Sequence, residues 1–240
     1  MVHGDAARMI SLEIDGTIAR VTLSRAARRN AMATAHFLEL ARVVSTIPHD
    51  TAVVVLRSGV PGIFSAGADL GEAARLADEP ALRAPLRLAI RAAVDSLLAL
   101  PMPLVAAVEG GCHGAAVALI LAADVRVAAP GASFAIPPAK LGIGYPAEDL
   151  ARLSMMIGPG QAARLLFTAS TIDAGEAQRI GLVDTVGDPA VVAATIAAND
   201  PAALTMLKAM LRDPGQPGHA RAFEDSFASP RFRAAAQRYR

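Results

Sequence analysis

The amino-acid sequence predicts an α/β protein whose C-terminal part is helical. Three patterns carry that prediction. Apolar and polar residues alternate on both sides of Asp15-Gly16; apolar, β-branched runs at 51–58 and 103–110 are separated by a helical stretch; after Pro146 the spacing becomes helical. Strands that alternate with helices and then give way to helices alone indicate an α/β core carrying a helical C-terminal region.

Taken in order, SLEIDGTIARVTLS (11–24) has the strongest short-range hairpin signal, an Asp-Gly pair flanked by alternating segments. RAARRNAM leads past Thr34, a candidate N-cap, into a helix ending near Pro48. TAVVVLRS (51–58) reads as a buried strand, and GVPGIFSAGADLGE as a glycine-rich loop. Residues 80–100 have helical periodicity, with Pro85 either in the first turns or at a kink. PLVAAVEG (103–110) is a second β-branched run, and the alanines of GCHGAAVALILAAD suit a buried helix. VRVAAPGASFAI suggests two short strands around Pro130-Gly131. DLARLSMMIG, GQAARLLFTA, DAGEAQRIG and the portion from Pro189 onward read as helices, with no repeat or linker between them.

Composition narrows the function. A chain of 240 residues is long enough to bury a large core as one domain. With 53% hydrophobic and 19% charged residues and a net charge of +1, it lacks the basic excess of a general nucleic-acid binder. A single cysteine, Cys112, excludes an intrachain disulfide framework and fits a reducing compartment. MVHGDAARMI has no long apolar run, and the apolar stretch 97–108 is broken by prolines and too short for a bilayer. The expectation is a soluble cytoplasmic protein with neither nucleic-acid nor membrane partners. No His, Cys or carboxylate group has metal-ligand spacing. EGGCHGAA follows a strand and opens a helix, but it is not G-x-G-x-x-G, and GIFSAG is not G-x-S-x-G.

Four segments, in order and at compatible separations, resemble the enoyl-CoA hydratase/isomerase (crotonase) superfamily. They are SRAARRNAM (24–32), FSAGADL (64–70), PLVAAVEGGCHGAAVALILAADVRVA (103–128) and TIDAGEAQRIGLVDTV (171–186). Each is weak alone; the ordered set is specific. The resemblance implies a crotonase-like (ClpP/crotonase) spiral of ββα units, with a core over 1–186 and a C-terminal helical region over 187–240 that drives homotrimer or hexamer assembly. It implies an acyl-CoA ligand and no cofactor beyond the coenzyme A of the substrate. It places two backbone N–H donors, at Ala68 and Ala115, against the thioester carbonyl oxygen. Such preorganised donors contribute about 10²–10³ each to rate. Ala66, Gly67, Asp69, Leu70 and Gly114 flank those donors as candidate ligand contacts. Arg28 and Arg29, with Arg25, fall in the segment resembling the family's nucleotide-contacting region. The tail adds Arg231, Arg233, Arg238 and Arg240, and arginine forks suit phosphate oxygens.

The sequence departs from the hydratases at their acids. The two glutamate positions carry Ala118 and Pro138, and a third site used by some relatives carries Pro146. A general acid or base contributes about 10²–10⁴ to rate, so ordinary hydration is not expected. Glu148, Asp149, His113 and Tyr145 are the candidates to replace those acids. Each has a plainer reading: the acids as helix N-terminal residues favoured by the dipole, and the His and Tyr as residues packed in a turn or core. The two functional readings are an enzyme with unusual acid–base groups and a catalytically silent acyl-CoA-binding protein.

Overall fold

The computed structural model describes residues 9–239, so Arg240 and the N-terminal segment read above lie outside the described residues. The hairpin forms as its alternation requires. β1 (Ile10–Asp15) and β2 (Ile18–Leu23) pair antiparallel about Gly16-Thr17, and Gly16 takes a φ of 58° in the turn.

After α1 (Thr34–Val44), the chain enters β3 (Val53–Ser58), whose β-branched run suits a strand buried on both faces. β4 (Gly62–Ser65) then leaves the plane of β3, and α2 (Leu70–Asp78) and α3 (Arg83–Leu98) return the chain. The pattern repeats. β5 (Leu104–Val108), β6 (Gly110–His113) and α4 (Ala115–Leu121) make a second unit; β7 (Val125–Ala128), β8 (Ser133–Ala135) and α5 (Ala147–Ile157) make a third. The first strand of each unit joins one sheet and the second strand joins another. With α6 (Pro159–Thr168), β9 (Ile172–Asp173), α7 (Ala174–Arg179) and β10 (Thr185–Val186), this gives a six-stranded sheet, β1-β2-β3-β5-β7-β10, and a four-stranded sheet, β4-β6-β8-β9. Strands from β2 onward in the first sheet run parallel, as do β4, β6 and β8 in the second. The result is a spiral of ββα units.

The main core lies between the sheets and the helices. Phe37 and Leu40 of α1, Leu97 of α3, Leu56, Phe64, Leu104, Leu119 and Phe134 are all buried there. Full burial of such a side chain stabilises the fold by about 1.5–3 kcal/mol. Pro85 sits in the first turn of α3, where its missing N–H has no intrahelical acceptor to lose. The other face of the six-stranded sheet carries Val53, Val55, Val105 and Val127, which alternate with the inward set. α8 (Pro189–Ala197) covers that face through Val192, Ala193 and Ile196, so core packing continues across the boundary expected at 186.

α9 (Pro201–Arg212) is fastened by charge. Lys208 Nζ lies 2.6 Å from both Asp124 Oδ2 and the Met102 carbonyl, and Arg212 lies 3.1 Å from Asp124 Oδ1. Burial lowers the Lys208 pKa to about 8, against the opposing pull of Asp124. α10 (His219–Ser226) and α11 (Pro230–Ala236) follow, with Phe223, Phe227 and Phe232 stacked edge to face. No single helix among the described residues is long and apolar enough to cross a membrane.

Three local expectations differ from the structure. Thr34 is the first helical residue rather than the cap. Ala33 holds the cap position and donates its N–H to His36 Nδ1, while the Thr34 N–H is satisfied by Glu72 from α2. The glycine-rich segments at 59–72 and 110–114 each contain a strand of the second sheet. α1 ends at Val44, short of Pro48.

Candidate functional site

The segment after β4 is fixed by polar groups that arise far away in sequence. Asn30 is fully buried. Its Nδ2 donates to Leu23 O (3.2 Å), Ser58 Oγ (2.8 Å) and Phe64 O (3.0 Å), and its Oδ1 accepts from Arg25 N (2.6 Å). Ser65 Oγ donates to Asn30 O at 2.7 Å and accepts from Gly67 N at 3.1 Å. Arg25 reaches Asp69 Oδ2 at 2.7 Å and Ala31 O at 2.8 Å. Asp69 Oδ1 accepts from Gly71 N and so caps α2. Its bond to Arg25 holds the carboxyl below the usual range. Asp69, expected beside the ligand, has both oxygens engaged in bracing the loop, Oδ2 by Arg25 and Oδ1 by Gly71 N.

That bracing determines where one amide faces. Met32 N donates to Gly67 O, and Asp69 N donates to Met32 O, a parallel bridge centred on Met32 and Ala68. The N–H and C=O of Ala68 itself are therefore turned away from Met32.

The second segment leaves β6 at His113. Gly114 has φ 55° and ψ −125°, its N–H donates to Ala135 O at 2.9 Å, and α4 starts at Ala115. The two segments touch at Gly67. A Cβ placed there would lie 2.5 Å from His113 O and 2.9 Å from Ala115 N, so only glycine allows this approach. Among the described residues, neither the Ala68 nor the Ala115 N–H has an acceptor, and both residues are half-buried. Two main-chain donors without an acceptor among the described residues thus flank a backbone contact that excludes any side chain.

Around this spot the charged candidates separate. Asp149 is buried between Arg91 and Arg152, 3.3 Å from each; burial raises its pKa and the two arginines oppose the rise. Structural ion pairs therefore account for Asp149. Glu148 is exposed in the first turn of α5. The Tyr145 hydroxyl donates to Gly114 O at 3.0 Å, and burial keeps the phenol protonated to higher pH than usual. His113 is half-buried. Its Nε2 is enclosed without a partner beside Gly111, and burial followed by Arg29 lowers its pKa, so the imidazole is neutral at neutral pH. Cys112 is wholly buried, and burial raises its thiol pKa far above the usual value, as an inert thiol requires.

Arg28 and Arg29 are exposed on the turn over 26–29, and Arg29 has φ 51°. Ala66 is braced by donating its N–H to Arg29 O, and Leu70 is 62% exposed at the start of α2. Arg231 donates to Ala198 O, so it secures α11 to the end of α8. At the family's acid positions, Ala118 is buried within α4, Pro138 opens a short 3-10 turn, and Pro146 precedes α5. Sequence reasoning missed the contacts of Tyr145 with Gly114 and of Glu72 with Thr34. Both join residues more than 30 positions apart and have no local signature.

The sequence model of the family described as Enoyl-CoA hydratase/isomerase matches residues 13–227. Human mitochondrial methylglutaconyl-CoA hydratase is 35% identical over 166 residues, 68% of this chain and 48% of the human protein. The chain thus spans about half the length of that relative and of its mouse and rat counterparts. A Mycobacterium tuberculosis protein, "Probable enoyl-CoA hydratase echA6", is 31% identical and is matched over 92% of this chain and 91% of its own length. The crystal structure of enoyl-CoA hydratase from Thermoplasma volcanium superimposes with a TM-score of 0.87 at 26% identity, over 98% of both chains.

Proposed function

The chain belongs to the enoyl-CoA hydratase/isomerase family, and from that premise we propose that it binds an acyl-CoA thioester and polarises the carbonyl with the N–H groups of Ala68 and Ala115. The observation that carries the reading is the pair of unpartnered amides on either side of the Gly67 contact. Donors that need no rearrangement stabilise negative charge as it develops on oxygen, which is what enolate-forming and acyl-transfer reactions of thioesters require. Arg28 and Arg29 are exposed beside the segment carrying Ala66, and they are the cations this reading assigns to the phosphates of coenzyme A.

The reaction is not ordinary hydration, which relies on two glutamates. Ala118, Pro138 and Pro146 cannot transfer protons, and Asp149 and Tyr145 are already committed to partners. His113 and Glu148 are the remaining groups for acid–base work in isomerisation, decarboxylation or thioester cleavage. The same observations favour a second reading, a catalytically silent acyl-CoA binder. The reading extends to a homotrimer or hexamer. It is supported by exposed apolar side chains on the C-terminal helices, among them Leu211 at 85% and Phe223 at 55% exposure.

The test compares butyryl-CoA with the thioether analogue that lacks the carbonyl. The thioester should bind at least tenfold more tightly, and Ala115→Pro, which deletes one N–H at a helix position that tolerates proline, should erase most of the difference. Equal affinity of the two ligands for the unmodified protein would sink the carbonyl reading. A panel of enoyl-, malonyl- and acyl-CoA esters then separates the two readings: turnover of any one excludes the silent binder.

A further inference from the structure

We propose that Tyr145 is a positioning residue that sets the direction and donor strength of the Ala115 N–H by hydrogen-bonding the carbonyl of the same peptide group. The proposal rests on the carbonyl-polarising reading above. Gly114 C=O and Ala115 N–H are the two ends of one amide, and the Tyr145 hydroxyl donates to that oxygen at 3.0 Å. A peptide whose oxygen accepts a hydrogen bond shifts electron density from nitrogen towards oxygen, and its N–H becomes a stronger donor. The Val117 N–H donates to the same oxygen, also at 3.0 Å, so the carbonyl accepts two hydrogen bonds at the end of the peptide opposite the Ala115 N–H.

The geometry explains why a clamp is needed. With φ 55° and ψ −125°, Gly114 occupies a conformation open essentially to glycine alone, and glycine by itself does not hold a peptide in one orientation. The Gly114 N–H is held by Ala135 O of β8 and the Gly114 C=O by Tyr145, so the residue is gripped at both ends. Tyr145 is itself placed firmly. It precedes Pro146, which restricts its backbone, and α5 beyond is pinned to α3 by the Asp149–Arg91 pair. Burial holds the phenol protonated, so it donates across the ordinary pH range. Where the resemblance leads one to expect a glutamate side chain, this chain has a small residue and a tyrosine that serves the backbone donor.

Infrared difference spectra of bound butyryl-CoA, labelled with ¹³C at the thioester carbonyl, test this. The unmodified protein should move the C=O stretch to lower frequency than in water. Tyr145→Phe should reduce that shift by about 10–30%, the usual scale of hydrogen-bond cooperativity, while affinity for free coenzyme A stays the same. An unchanged shift in Tyr145→Phe overturns the proposal and leaves the carbonyl reading intact. No shift in the unmodified protein ends both. Should Tyr145→Phe fail to fold, global 3-fluorotyrosine replacement gives the opposite perturbation without loss of the hydroxyl. The chain has 2 tyrosines, and Tyr239 is 91% exposed, so an increased shift reports on Tyr145. A shift that does not respond to fluorination also overturns the role.

Discussion

The two halves of the candidate site differ in the side chains that build them. The half that presents the Ala68 amide is dense with polar groups: Arg25, Asn30, Ser65 and Asp69 satisfy one another and the surrounding backbone. The half where the resemblance leads one to expect glutamates holds Ala118, Pro138 and Pro146. The four side chains of that network hold the backbone that leads to Ala68. On the proposed reading, the contrast teaches that carbonyl polarisation and proton transfer are separable, because one is built from backbone and its supports and the other from replaceable side chains.

The sharpest way to break the comparison is to remove the brace. Asn30 combines a φ of 54°, which asparagine tolerates better than alanine, with four hydrogen bonds to buried or half-buried partners. Asn30→Ala should lower unfolding stability by about 3 kcal/mol or more, since each orphaned buried group costs about 1–3 kcal/mol. A urea midpoint close to that of the unmodified protein would show that the network is ornamental.

Asp69→Asn comes next and should cost about 1.5–3 kcal/mol, the range for hydrogen bonds to charged groups. Its pH dependence has a definite sign. The Arg25 bond depresses the carboxyl pKa in the folded state, so the stabilisation is fully present above the unfolded carboxylate pKa and is lost as pH falls through the lower folded value. The gap between Asp69→Asn and the unmodified protein should therefore close in acid. A gap that is constant between pH 7 and pH 3 would remove the ion pair from the account. Asp149 has the reverse sign: burial raises its folded pKa, so its contribution favours folding at low pH and is lost as pH rises through the raised value. The two acids near the site thus respond to pH in opposite directions.

These contacts show which features the sequence could reveal. The hairpin at Asp15-Gly16, the parallel strands β3 and β5 and the helices α3 and α5 were legible because alternation and periodicity are local properties. The segments 66–69 and 113–115 were legible as a set through their resemblance, and the structure brings them into contact at Gly67. The second sheet was not legible. GIFS and GGCH are four-residue strands too short and too rich in glycine to show alternation, and their pairing is decided by neighbours nearly 50 residues away. The same limit hid the role of Asp69. Its carboxylate stands in a motif, and only the fold shows that Arg25 occupies it. The helical region placed beyond 186 begins with α8, which an isolated reading of hydropathy cannot assign to the outer face of the sheet.

The smallest effect tests the emptied half directly. Ala118→Glu restores a carboxylate at a family acid position. If the two halves were independent modules, hydration of crotonyl-CoA would return. The structure argues otherwise. Ala118 is 1% exposed, so a glutamate there must displace packed neighbours or adopt a strained rotamer. Overpacking of this kind costs about 1–3 kcal/mol. Pro138 would still leave the second glutamate missing, and paired acid–base groups lose most of their effect when either is absent. Ala118→Glu should therefore melt a few degrees lower and hydrate crotonyl-CoA no faster than the unmodified protein. A gain of a hundredfold or more, measured by loss of the enoyl absorbance, would mean that the proton-transfer half was emptied without the rest of the site adapting to its loss.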